Sequence, residues 1–214
     1  MLPSGEPKFR RRKAERPDEI IGAALEVFAA KGFAAARLDD IAARAGVSKG
    51  ALYLYFATKE EIFRAVVEQA LAPNLKTLLA LAASHPGPFA DLAESVAERM
   101  GQIVGASSIG AVAKMVIGEA RNFPEIARVW HDELVGPALS ALSGAIAQAQ
   151  ARGEVKPGDP RAYALSFAAP ILVGVIWRET FVPAGAEPFD LPALARQHAR
   201  ALLSGILLEE GRAA

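Results

Sequence analysis

The chain has 214 residues, 52% of them hydrophobic, which suits one or two domains with a sizeable core. Ala occurs 45 times and Thr three times, a bias towards helix formers and away from strand formers. Cys is absent and the three histidines (His85, His131, His198) lie far apart, so disulfides, thiol chemistry and cysteine metal sites are excluded and no metal or cofactor is expected. Net charge is zero but unevenly spread: residues 1–64 carry 12 Lys/Arg against 9 Asp/Glu, and residues 65–214 carry 12 against 15.

In chain order, residues 1–16 read as a basic arm (Lys8, Arg10, Arg11, Arg12, Lys13, Arg16) that suits nucleic acid and has no apolar periodicity to fix it in place. Pro17 opens the first predicted helix, whose stripe is Ile20, Ile21, Ala24, Leu25 and Phe28, and Gly32 ends it. A short second helix covers about 38–45, broken by Gly46. Ser48 caps a third that ends near Phe56. Thr58-Lys59-Glu60-Glu61 is a capping box opening a long helix with Ile62, Phe63, Val66, Val67 and Ala70 on one face, and Pro73 kinks it. His85-Pro86-Gly87-Pro88 is a turn. Helices follow at about 89–104, 107–120 and 124–151 (kinked at Pro137), then 160–180 behind the Asp159 cap and 190–210 behind Asp190. The count is nine, an all-α chain. The uncharged runs Ala162–Trp177 and Leu134–Ala151 are interrupted by Ser, Pro, Gly or Gln, so no membrane span is expected. With no apolar segment after the charged start, the expected location is cytoplasmic.

Two short helices joined by a glycine turn, beside a basic arm, have the spacing of a helix-turn-helix. Ala42 is small where the helices cross, Gly46 supplies the turn, and Leu52 and Phe56 pack the second helix back on the first. Lys49, Gly50 and Tyr53 are left on the opposite side, where DNA would lie. The run Ile41-Ala42-Ala43-Arg44-Ala45-Gly46-Val47-Ser48-Lys49-Gly50-Ala51-Leu52-Tyr53-Leu54-Tyr55-Phe56, followed by Thr58-Lys59-Glu60-Glu61, resembles the DNA-binding domain of the TetR family of bacterial regulators over about residues 17–72. The resemblance implies a DNA-binding domain at 17–57 (motif about 37–56) and a ligand-binding and dimerisation domain at 58–214. It also implies contacts to a palindromic double-stranded operator from Ser48, Lys49, Gly50, Tyr53, Tyr55 and Lys59. Two residues depart from the family pattern. Arg37 stands where a Thr or Ser often caps the second helix, and adds a candidate phosphate contact; Ala51 replaces a common threonine and leaves a methyl for a thymine methyl. Gly50 costs its helix about 1 kcal/mol, which close approach to DNA would justify.

In the second half no phosphate-cradling loop, nucleophile elbow or zinc-helix motif occurs, so an enzyme is not expected. An effector pocket is expected among Met100, Ile103, Met115, Phe123, Trp130, Phe167 and Trp177, with Glu119 or Arg121 as polar anchor. One recognition helix reads few base pairs, so a homodimer is expected. Its interface falls to the last two helices, through Ala168, Ile171, Leu172 and Val175 with His198 and Leu202. The reading is a repressor released from its operator by a small apolar or amphipathic ligand; an architectural DNA binder with no effector is the alternative.

Overall fold

The computed structural model describes residues 8–84 and 87–208. Its helices are α1 (Lys8–Ala35), α2 (Leu38–Arg44), α3 (Lys49–Tyr53), α4 (Lys59–Ala65), α5 (Ala72–Ser84), α6 (Phe89–Ala106), α7 (Ile109–Glu119), α8 (Pro124–Trp130), α9 (Gly136–Ala151), α10 (Pro160–Thr180) and α11 (Leu191–Ile206). Single π-helical segments, Val66–Leu71 and His131–Val135, join α4 to α5 and α8 to α9. Counting each joined pair once gives nine helices among the described residues, as expected from the sequence.

The capping residues act as their chemistry dictates. Ser48, Thr58 and Asp190 each accept the N–H three residues on, and Asp159 accepts that of Arg161. Glu61 reaches back to the Ala57 N–H at 2.7 Å. Both π segments end just ahead of a proline, Pro73 or Pro137. Proline has no N–H to donate and clashes with the carbonyl four residues back. A wider turn in front of it absorbs that clash, so the expected kinks take the form of π turns.

Two expectations about the N-terminus are corrected. Pro17 lies inside α1 rather than at its start, and the backbone of Lys8–Arg16 is helical rather than an unstructured arm. Lys, Arg, Glu and Ala are strong helix formers, so the helix propagates back from the packed stripe at Ile20. Residues 1–7 of the arm lie outside the described residues, as do His85, Pro86 and the predicted last turn at 209–210.

One buried cluster joins α1–α4 to α7 and α8: Ile20, Phe28, Phe33, Ile41, Leu52 and Phe63 share it with Val112, Met115, Val116, Ile126 and Val129. A second holds α6, α9, α10 and α11 together. The interior is therefore continuous across residue 57. The chain's end is stapled by an isolated antiparallel bridge between Val155 and Leu207. By length and composition Pro160–Ala184 is long and apolar enough to cross a membrane, contrary to expectation; here α10 packs along α7, α9 and α11.

Candidate nucleic-acid interface and apolar cavity

The helix-turn-helix closes as the motif requires. Gly46 has φ +67°, a conformation glycine adopts freely, and Val47 N–H returns to the Ala42 carbonyl at 3.0 Å. Ala42 and Leu52 are buried, and Phe56 packs against the same cluster. That anchoring turns the rest of α3 outward. Ser48, Lys49 and Gly50 are exposed, Ala51 is half-buried, and Tyr53 is 48% exposed. A Cβ on Gly50 would meet nothing within 4 Å, leaving clear space for an approaching duplex. Lys49 Nζ lies 2.8 Å from a carboxylate oxygen of exposed Asp39, whose hydrogen bond and charge raise the lysine pKa. Ser48 Oγ caps its own helix, accepting from the Ala51 N–H at 3.1 Å, and its hydroxyl keeps a proton to donate.

Arg37 is exposed at the start of α2 and makes no side-chain cap; its N–H donates to Asp40 Oδ2 at 3.2 Å. Asp40 also pairs with Lys31 at 3.0 Å, and that hydrogen bond lowers its pKa.

Two expected DNA contacts sit elsewhere. Tyr55 is half-buried against the core. Lys59 turns inward: its ammonium donates to the carbonyls of Phe33 and Ala36 and lies 4.4 Å from the Phe33 ring centroid. Leu54, 80% exposed beside Tyr53, is an outward residue absent from the expected contacts. Its spacing from inward Leu52 and Phe56 was the available signal.

The C-terminal half holds a partly open cavity of about 70 Å³, lined among the described residues by thirteen apolar side chains. Leu75, Leu78 and Leu79 of α5 face Leu92, Val96 and Met100 of α6, with α9 residues Leu139 and Leu142 and Ala168 of α10 closing it. Of the expected pocket residues only Met100 lines it. Ile103 is half-buried outside it. Met115 and Phe167 are buried core, and Phe123 and Trp130 pack against the core. Trp177, half-buried, meets Phe181 at a tilt and Phe189 edge-on, its Nε1 donating to the Glu187 carbonyl at 2.9 Å. Glu119 lies outside this cavity: its carboxylate accepts the N–H groups of Phe33 at 3.0 Å and Ala34 at 2.6 Å. The expected lining is large and polarisable, whereas the cavity is made mostly of Leu and Ala.

The expected dimer stripe is mostly an inner face. Ile171 and Val175 are buried within one chain and Ala168 lines the cavity. His198 Nε2 donates to the Ser166 carbonyl at 2.9 Å, tying α11 to α10, and Leu202 leans on the core. Only Leu172 of that set points out. It does so beside Leu165 and Val173, which are 60% and 63% exposed.

Comparison with known proteins agrees with this architecture. Residues 20–66 match the bacterial regulatory proteins of the tetR family, and residues 91–203 match the C-terminal domain of AefR-like transcriptional repressors. The Bacillus subtilis fatty acid metabolism regulator protein is 27% identical over 199 residues, spanning 91% of this chain and 98% of that protein. A local match, 39% over 69 residues, links it to the B. subtilis HTH-type transcriptional regulator YfiR and spans only 34% of that protein. Among solved structures, B. subtilis FadR in complex with stearoyl-CoA has the same fold (TM-score 0.72, 24% identity, 88% of this chain and 98% of that one). With both halves matched in sequence and the helical fold shared, the chain belongs to the TetR family of bacterial transcriptional regulators.

Proposed function

We propose that this regulator is a repressor that binds a palindromic operator as a homodimer through the outer face of α3, and that an apolar or amphipathic ligand releases it. The contacts assigned are Lys49 and Tyr53, with Ser48, Gly50, Ala51 and Leu54 at the base edges and Arg37 on the backbone. Tyr55 and Lys59, committed to the interior, are left out.

The observation that carries the effector is the cavity. At about 70 Å³ it is far smaller than the several hundred Å³ of an ordinary ligand pocket. Its wall offers an apolar chain contact and offers a polar group nothing. Seating such a chain requires α5, α6 and α9 to separate. Because α5 continues through Val66–Leu71 into α4, which packs on α1, and α1 packs on α2, which carries α3, that separation reaches the recognition helix. A ligand that needs the expanded state lowers operator affinity by its preference for it. The stearoyl-CoA bound to the FadR neighbour makes a long acyl chain the first candidate.

Saturated acyl-CoAs of increasing length provide the test, by thermal shift and by competition against an operator duplex. A matching chain is expected to raise the melting temperature and weaken operator binding about 5–150-fold. Stabilisation without any change in operator affinity would show a pocket with no coupling. Failure across acyl and other lipophilic ligands would favour the effector-free architectural reading.

On the DNA side, Lys49→Ala and Tyr53→Phe are each expected to weaken operator binding and leave the melting temperature nearly unchanged, since both side chains are exposed. Lys49→Ala should also flatten the salt dependence by about 0.9 in log–log slope for each phosphate it ceases to neutralise. Wild-type affinity in both variants would remove α3 from the interface.

A further inference from the structure

The last turn of α1, beyond Gly32, is held from two sides by distant residues. Gly32 breaks α1 with φ +78°, and the Ala36 N–H closes one new turn on the Gly32 carbonyl at 3.2 Å. The N–H groups at the start of that turn have no partner in the turn itself. Glu119, the last residue of α7, supplies one oxygen to Phe33 N–H and the other to Ala34 N–H. At the other end Lys59 takes the carbonyls of Phe33 and Ala36. A Cβ on Gly32 would sit 2.5 Å from Glu119 Oε1, so the glycine leaves room for the carboxylate where it caps the turn.

The far end of α7 is tied down as well. A Cβ on Gly110 would sit 3.2 Å from Val175 Cγ1, so α7 meets α10 at contact distance there, and Lys114 donates to the Glu179 carbonyl of α10. With eleven residues, α7 is a strut about 16 Å long running from α10 to the turn that leads into α2. α2 is joined to that turn by Asp40, which bridges Arg37 N–H and Lys31 on the far side of Gly32. α3 packs on α2, so whatever holds residues 32–36 holds the recognition helix.

We infer that Glu119 is a positioning residue for operator binding. It caps the turn from across the molecule, and through α7 it fixes the recognition helix relative to α10, and hence the separation of the two recognition helices in a dimer joined at α10. The inference rests on the operator-bound dimer proposed above. Operator half-sites repeat at a fixed spacing, so this geometry is read directly by DNA.

The test uses full-length protein and a duplex that the wild type enriches from a random pool, together with versions carrying one base pair more or fewer between half-sites. The wild type is expected to discriminate sharply among the three spacings. Glu119→Ala should lose that discrimination and bind the enriched duplex about tenfold more weakly, within the usual range of intersite coupling. Its affinity for a duplex of unrelated sequence should not change. Glu119→Gln, which keeps the side-chain length but one acceptor oxygen, should fall between them; it carries the same test if Glu119→Ala loses its helical circular dichroism. Retained spacing discrimination in a folded variant overturns the inference, whatever the melting temperature does. Equal weakening on enriched and unrelated duplexes, with spacing preference intact, assigns Glu119 to stability alone and also overturns it. A wild type that enriches no sequence overturns the operator reading itself.

Discussion

Phe33→Ala is expected to cost about 3–5 kcal/mol of folding stability, the range for truncating a fully buried phenylalanine. The ring is fully buried, with Phe28, Phe63 and Phe123 centroids at 5.5, 5.8 and 5.1 Å. The pairs with Phe63 and Phe123 are edge-on, the arrangement that adds attraction beyond buried area. Phe28 belongs to the DNA-binding domain, Phe63 to α4 and Phe123 to the link between α7 and α8, so the cavity left behind would open the joint between the halves. It would also strip the aromatic face from the Lys59 ammonium 4.4 Å away. Urea denaturation should show the whole transition moving to lower concentration. A loss below about 1 kcal/mol would mean that the site collapses onto the gap.

The second large effect is expected on α10. Glutamate at Leu172 and Val173 together should yield a monomer at micromolar concentration and reduce operator affinity by roughly 10²–10⁴-fold, the gain usually supplied by joining two binding units. Both side chains are exposed, so the substitution leaves the interior of one chain intact, whereas altering Ile171 or Val175 would damage the core. Sedimentation and operator titration on the same samples check the two halves of the expectation. A wild type that sediments as a monomer would refute the homodimer, and a double variant that remains a dimer would place the interface elsewhere.

What could be read from the sequence was local. Caps, glycine breaks and the helix-turn-helix depend on residues within a few positions of one another, and Ser48, Thr58, Asp159, Asp190, Gly32 and Gly46 behave as their spacing says. Errors arose where the deciding partner is far along the chain. Lys59 has the composition of a phosphate contact, but carbonyls more than twenty residues earlier claim its ammonium. Helix α10 is apolar on both faces: Ala164, Phe167, Ile171 and Val175 point in, while Leu165, Leu172 and Val173 point out. Its periodicity cannot name the inner face; the packing of α9 and α11 does. The cavity was missed for a related reason. In a chain this rich in Leu and Ala, its lining resembles any other core segment, and the rarer aromatics drew the expectation away.

The π turn at Val66–Leu71 also sets a phase. Each residue of an α-helix advances its side chain by about 100°, and the extra residue held in a π turn shifts everything beyond it by one such step. Ahead of the turn the inward residues are Ile62, Phe63, Val66 and Val67; continued at α spacing, that stripe would run through Asn74 and Thr77. Beyond the turn it runs instead through Leu71, Leu75, Leu78 and Leu79. Deleting one residue from the segment would therefore rotate three leucines out of the cavity and bring polar side chains towards it. The length of this helix, counted to the single residue, determines what kind of molecule its far half can meet.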